Sequence, residues 1–145
     1  MEKKVTMIPA KPNRIVKNAG IYCRVSTNKS DQLNSLTSQV SALTRVISKM
    51  EQWELTDTFI GIASAKEDNP RKEFERILQV AENHQISVVI TKSMSRFGRD
   101  MVDTLEALKR LRAAGVTVHF TQEGLDTADM SNDLLISVVG AVVQA

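Results

Sequence analysis

The chain is 145 residues long, with a net charge of +2, 42% hydrophobic residues and 25% charged ones, proportions that belong to one globular domain and not to two of ordinary size. So slight a charge excludes binding of nucleic acid by bulk electrostatics alone, and requires any such surface to concentrate its cations in one place. The single cysteine, Cys23, excludes an internal disulfide and a Cys-rich zinc site and fits a reducing cytoplasm, and no apolar run nears the roughly 18 residues of a membrane span.

Residues 1–19 carry Lys3, Lys4, Lys11, Arg14 and Lys17 with two prolines and no helical period. They read as a basic, solvated arm without a signal-peptide apolar region, although Val5 to Ile8 suit a short edge strand. Gly20 to Val25 is the first core strand. Strand side chains alternate, so Arg24 and Ser26 share one face while Cys23 and Val25 take the other. Ser30 or Asp31 caps a helix in which Leu33, Leu36, Val40, Leu43, Ile47 and Met50 recur at spacings of three and four. Trp53 to Ile62 forms a second strand and Ser64 to Asn69 a polar loop. Pro70 opens a helix that runs to about His84 with Phe74, Ile77, Leu78 and Ala81 inward.

Ile86 to Thr91 is almost continuously apolar and β-branched, as a parallel strand buried on both faces requires. Lys92 to Asp100 is polar and leads into a helix with a Leu105, Leu108, Leu111 stripe, stopped by Gly115. Val116 to Thr121 is the fourth strand. From Asp129 a last helix begins that is apolar around most of its circumference and must therefore be buried. It has no stop signal before Ala145, so more chain is expected to follow and this helix to pack against another subunit. Strand and helix alternate four times. The expected fold is an α/β domain of three layers with a mainly parallel four- to five-stranded sheet flanked by helices.

In such sheets reacting groups gather at the carboxyl ends of the strands. Ser26 follows the first strand, Ser64 the second, and Lys92 to Arg99 the third. Within Ser95-Arg96-Phe97-Gly98-Arg99, the two arginines are three apart and would share a face of a helical turn, with Phe97 as anchor and Gly98 permitting close approach. Arg71 begins its helix beside the same strand ends. Four arginines (24, 71, 96 and 99) near one serine are costly without an anion between them. Guanidinium groups match phosphate oxygens in a fork and stay charged. The constellation suits phosphoryl transfer with Ser26 as nucleophile. Lys92 reads equally as a contact to a DNA backbone and as a solvated lysine. His84 and His119 read as structural histidines, Arg110 and Arg112 as surface charge, and no Ser/His/Asp triad or Gly-rich phosphate loop is present.

These residues resemble the catalytic domain of serine site-specific recombinases, the resolvases, invertases and large integrases or transposases of mobile elements. The resemblance rests on Tyr22-Cys23-Arg24-Val25-Ser26-Thr27, Gln39, Arg71 before Phe74, and Ser95 to Arg99, and spans residues 20–145 in order. The arm from Lys4 to Pro12 and Gln32-Leu33-Asn34-Ser35 look most like the large branch, and Ile136 to Ala145 like the start of its long dimerisation helix. The resemblance implies residues 20–145 as a catalytic domain truncated before a DNA-binding region, from a bacterium, phage or mobile element. It implies that Ser26 attacks a DNA phosphodiester to give a 5′-phosphoserine bond and a free 3′-hydroxyl. Arg24, Arg96 and Arg99 would hold the phosphate and Arg71 would join them. Gln39, Ser64 and Ser95 would support the site. The partners implied are double-stranded DNA recombination sites and a homodimer that assembles to a tetramer, with no metal, no high-energy cofactor and no membrane.

Two departures bear on the proton of Ser26. The family often has an acid and a Ser-Gly pair after the second strand, where this chain has Gly61-Ile62-Ala63-Ser64-Ala65. Small members carry Asp where this chain has Ser95, although Ser is common in the large branch. A non-catalytic DNA- or phosphate-binding regulator on the same fold is the alternative. A free-standing phosphatase or nuclease lacks anything to activate a water.

Overall fold

Short β-branched runs alternating with amphipathic stretches give β1 (Lys17–Val25), α1 (Ser30–Ser48), β2 (Trp53–Ile62), α2 (Asn69–Glu82), β3 (Val88–Thr91), α3 (Met101–Ala113), β4 (Thr117–Phe120), β5 (Leu125–Asp126) and α4 (Asn132–Val142). The computed structural model describes residues 16–25, 30–62 and 69–143. Ser26 and Ser64 lie outside the described residues, as do most of the basic arm and the loop from Ala63 onward. The sheet order is β2-β1-β3-β4-β5. The first four strands pair in parallel and β5 returns antiparallel to β4. This is the three-layer α/β architecture expected, with five strands and four α-helices among the described residues.

The period-two alternation of the central strands decides which residues meet which layer. Ala19, Ile21, Cys23 and Val25 from β1, with Val88 and Ile90 from β3, pack against Leu36, Leu43 and Ile47 of α1. Tyr22, Val89, Val118 and Phe120 face the other way, onto α2 (Phe74, Ile77, Leu78), α3 (Leu108, Leu111) and α4 (Leu135, Val139). One helix thus covers one face and three cover the other. β3 is buried at all four positions, which is why its sequence is apolar except for Thr91, whose hydroxyl donates to the Tyr22 carbonyl at 2.9 Å. The chain turns from β2 on one side of β1 to β3 on the other, so a crevice opens between the carboxyl ends of β1 and β3, the usual ligand site of such sheets.

Several expectations need correction. α1 ends at Ser48, so Met50 falls beyond the stripe and is 44% exposed. The last helix starts at Asn132, where Ser131 caps it by accepting from the Leu134 N–H. Residues 127–129, which include Asp129, form a separate 3-10 turn. Within one chain α4 leaves Leu134 and Ile136 48% and 45% exposed, the side that the expected packing on another subunit would cover. Arg110 and Arg112 are more than surface charge. Arg110 bonds Glu82 and Glu75 across to α2, and Arg112 donates to the Thr127 carbonyl and Asn132 Oδ1. His84 sits just past α2 with φ of 61°, a left-handed position that ends the helix. Gly115 does the same after α3 with φ of 79°.

Candidate active site

A pocket of about 280 Å³ occupies the crevice between β1 and β3. Tyr22, Arg24 and Val25 line it from the end of β1, Thr91, Lys92, Ser93, Ser95 and Arg96 from β3 and the loop beyond, Ser35 and Gln39 from α1, and Gln122 from the turn after β4. Alternation along β1 explains Tyr22 and Arg24. Cys23 and Val25 anchor the strand in the α1 layer, which leaves Arg24 half-buried at the pocket wall. Burial also pushes the Cys23 thiol up to about 12, so it stays protonated and inert within the core. Tyr22 is raised to about 12, first by burial, with Arg24 and Arg71 opposing that rise.

The second group is positioned by an aromatic cluster. Phe97 is 1% exposed and meets Tyr22, Phe74 and Phe120 edge-on at centroid distances of 6.0, 5.0 and 5.6 Å. This pins the loop that carries Arg96. Ser93 caps a 3-10 turn over Met94–Arg96 by accepting from the Ser95 N–H. The turn stops at Arg96, so Arg96 and Arg99 do not share one helical face, contrary to the expectation from their spacing. Gly98 then runs against the start of α3. A Cβ at this position would stand 2.6 Å from Thr104 Oγ1 and 2.7 Å from the Thr104 backbone nitrogen, so only glycine fits.

Of the four arginines expected to converge, Arg24 and Arg96 line the pocket, together with Lys92. Among the described residues no carboxylate is in ion-pair range of these three, and no acidic side chain lines the pocket. Arg71 and Arg99 do not line it. Arg71 is committed to Asp103 Oδ2 at 2.7 Å and to Glu75 at 3.3 Å, and the Arg99 backbone N–H donates to the same Asp103 oxygen at 2.9 Å. Burial raises the Asp103 carboxyl, but the Arg99 N–H and the Arg71 guanidinium outweigh it and hold the group below the usual carboxylate range. Asp103 therefore knits the start of α2, the arginine loop and the start of α3 together. Gln39 and Ser95 also line the pocket.

The pocket also draws on residues that sequence reasoning passed over: Tyr22, Ser93, Gln122, and behind them Glu123 and Asp103. Asp103 had a local signal, being an acid in the first turn after the Asp100 cap. Glu123 had none. The β3–β4 ladder continues through Thr121 N–H to Thr91 O and Gln122 N–H to Lys92 O, which sets residue 123 opposite residues 93 and 94. There Glu123 accepts from Ser93 Oγ and from the Met94 N–H, both at 3.1 Å. Among the described residues no cluster of three or more His, Cys, Asp or Glu could hold a metal ion, and no helix is long and apolar enough to cross a membrane.

Comparison with known proteins places this geometry in a family. The model of "Resolvase, N terminal domain" matches residues 19–145. A resolvase/recombinase of Pseudomonas putida is 30% identical over 124 residues, covering 86% of this chain and 62% of that protein. The transposon Tn3 resolvase of Escherichia coli is 29% identical over 126 residues, covering 86% and 60%. The chain thus spans less than two thirds of the length of these curated relatives. Among solved structures, a resolvase family site-specific recombinase from Streptococcus pneumoniae superposes with a TM-score of 0.74 at 26% identity, covering 87% of this chain and 85% of that one. The N-terminal catalytic domain of TP901-1 integrase does so with a TM-score of 0.68 at 25% identity, covering 87% and 93%.

Proposed function

The chain belongs to the resolvase N-terminal domain family of recombinases, and from that premise we propose that it is the catalytic part of an enzyme of site-specific DNA recombination, working through a covalent serine–DNA bond. The observation that carries this reading is a pocket at the β1/β3 crevice that, among the described residues, is lined by three cations and no carboxylate; Ser26 follows the lining residue Val25 in the sequence. A phosphodiester is the anion that such a pocket suits, because guanidinium forks match its oxygens.

In this mechanism Ser26 Oγ attacks a backbone phosphorus. The Oγ–P bond forms, the P–O3′ bond breaks, and a 3′-hydroxyl leaves. Arg24 and Arg96 stabilise the charge that spreads over the equatorial oxygens, and Lys92 holds an adjoining part of the backbone. Gln39 and Ser64 support the site by hydrogen bonds. The Arg71 side chain and the Arg99 backbone N–H set the loop through Asp103. Phosphodiester energy is kept in the serine ester, so rejoining is the reverse attack and needs no high-energy cofactor. Duplex recombination sites are the substrate, and a homodimer pairing into a tetramer supplies four serines for four strands. The exposed Leu134 and Ile136 on α4 suit the subunit contact. The phosphate contacts bring affinity without sequence choice, and that choice falls to DNA-binding parts beyond this domain.

The test uses the protein at the full length its gene encodes, incubated with duplex DNA carrying its recombination site and quenched with denaturant. Protein covalently joined to 5′ ends is expected from wild type and not from Ser26→Ala, with DNA binding retained. Arg96→Ala should slow adduct formation by about 10²–10³-fold, the usual loss of one preorganised charge-stabilising donor. Wild type that binds a verified site but never forms an adduct would mark a non-catalytic regulator, and free 5′-phosphate a nuclease.

A further inference from the structure

A serine nucleophile must lose its proton as it attacks, yet among the described residues nothing that lines the pocket is a base. Arginine and lysine are donors only, and the Gln39 and Gln122 amides do not take up protons. Among the described residues, a hydrogen-bond chain leads out of the pocket to a carboxylate. Ser95 Oγ, on the pocket wall, is 2.8 Å from Ser93 Oγ, and Ser93 Oγ is 3.1 Å from Glu123 Oε2. The direction of this chain follows from counting protons. An ionised carboxylate only accepts, so the one hydroxyl proton of Ser93 goes to Glu123. Ser93 Oγ then acts as acceptor toward Ser95, whose proton is thereby committed. What Ser95 turns toward the pocket is lone pairs.

We infer that Ser95, Ser93 and Glu123 form the route by which the nucleophile's proton leaves the pocket, with Glu123 as its sink. The inference rests on the serine mechanism proposed above. As the Ser26 Oγ–P bond forms, the Ser26 proton passes to Ser95 Oγ, the Ser95 proton to Ser93 Oγ, and the Ser93 proton to Glu123 Oε2. The P–O3′ bond breaks, and the departing oxygen takes a proton from water while Glu123 returns its own to water. The net change is transfer of the phosphoryl group. Rejoining runs the chain backward. Ser93 is 5% exposed, which keeps bulk water from breaking the middle link. Oε1 of Glu123, occupied by the Met94 N–H, fixes Oε2 on Ser93.

The same contacts also brace the loop, so the test must separate a proton route from a brace. Full-length wild type, Glu123→Gln, Ser95→Ala and the double variant are compared for initial rates of adduct formation on the cognate site, with melting temperatures recorded alongside. Ser95→Ala leaves both Glu123 bonds and the Ser93 cap in place and removes only the first link. Each single variant should lower the rate by about 10²-fold, the lower range for a lost acid–base group, and the double should fall no further. The rate ratio between H2O and D2O, with several protons in flight in wild type, should drop in both single variants. Rates within about tenfold of wild type, or a fall in rate with an unchanged isotope ratio, would overturn the relay and leave the serine mechanism standing. Absence of any adduct from wild type would instead overturn that mechanism itself.

Discussion

Asp103 offers the sharpest test of how the arginine loop is held. Its Oδ2 accepts from Arg71 at 2.7 Å and from the Arg99 N–H at 2.9 Å, with the two side chains of the ion pair only 23% and 16% exposed. Asp103→Asn keeps the volume and an acceptor for the Arg99 N–H but removes the charge. The charge-assisted bond is worth about 1.5–3 kcal/mol, and the acid in the first turn of α3 adds about 0.3–1 kcal/mol through the helix dipole. Partial solvent screening trims the sum, so a loss of about 2 kcal/mol is expected. In a domain of this size that lowers the melting temperature by about 4–8 °C. The assay is urea unfolding of wild type, Asp103→Asn, Arg71→Met and the double variant, read as a double-mutant cycle at neutral pH. A coupling of about 1–2 kcal/mol is expected, as for directly hydrogen-bonded partners. Because the folded carboxyl holds its proton less tightly than the unfolded one, this contribution is present above the ordinary carboxylate pKa of about 3.9 and fades as pH falls toward the folded value. A coupling below about 0.5 kcal/mol, the level of an exposed pair, or one unchanged on acidification, would refute the reasoning.

Two further outcomes follow from the packing. Gly98→Ala sets a methyl 2.6–2.9 Å from Oγ1, N and Cα of Thr104. Since backbone atoms cannot rotate away, stability should fall by about 1–3 kcal/mol, the usual cost of overpacking. Adduct formation should fall further than the melting temperature alone explains, because Arg96 is carried by the same loop; wild-type rates in this variant would contradict that coupling. The second outcome concerns alkaline pH. Cys23 and Tyr22 hold their protons up to about 12 in the folded state, against 9.0 and 10.0 as ordinary values. Their contribution is complete below about pH 9 and is lost as pH rises toward 12. Unfolding free energy should therefore decline across that window, and less steeply in Cys23→Ala; an identical slope for the two proteins would dismiss the thiol's part.

Periodicity made most of the fold legible. Trp53 to Ile62 is a strand over the bounds read from its residues, and Phe74, Ile77, Leu78 and Ala81 are the buried face of α2. These follow from local alternation and helical spacing, which the backbone imposes wherever it is. The apolar composition of α4 signals burial without saying by what, and within one chain Leu134 and Ile136 stay exposed. Arg24, Arg96, Ser95 and Lys92 could be gathered at one sheet edge from topology, since carboxyl ends of parallel strands share a side, whereas Gln39 came only from the family resemblance. That the Arg71 side chain and the Arg99 backbone N–H meet on Asp103, and that neither residue lines the pocket, could not be read this way. A guanidinium reaches several partners, and only distance chooses among them.

By itself the sequence determined the layers, the strand ends and the positive chemistry that collects there, because each depends on residue type and period. Tertiary structure alone decided that Arg24, Lys92 and Arg96 line the pocket while Arg71 pairs with Asp103 and Glu75. It also set Glu123 behind Ser93, joining residues thirty positions apart. Such pairings depend on the β3–β4 register and on a few ångströms of side-chain reach, and no local pattern in the chain encodes either.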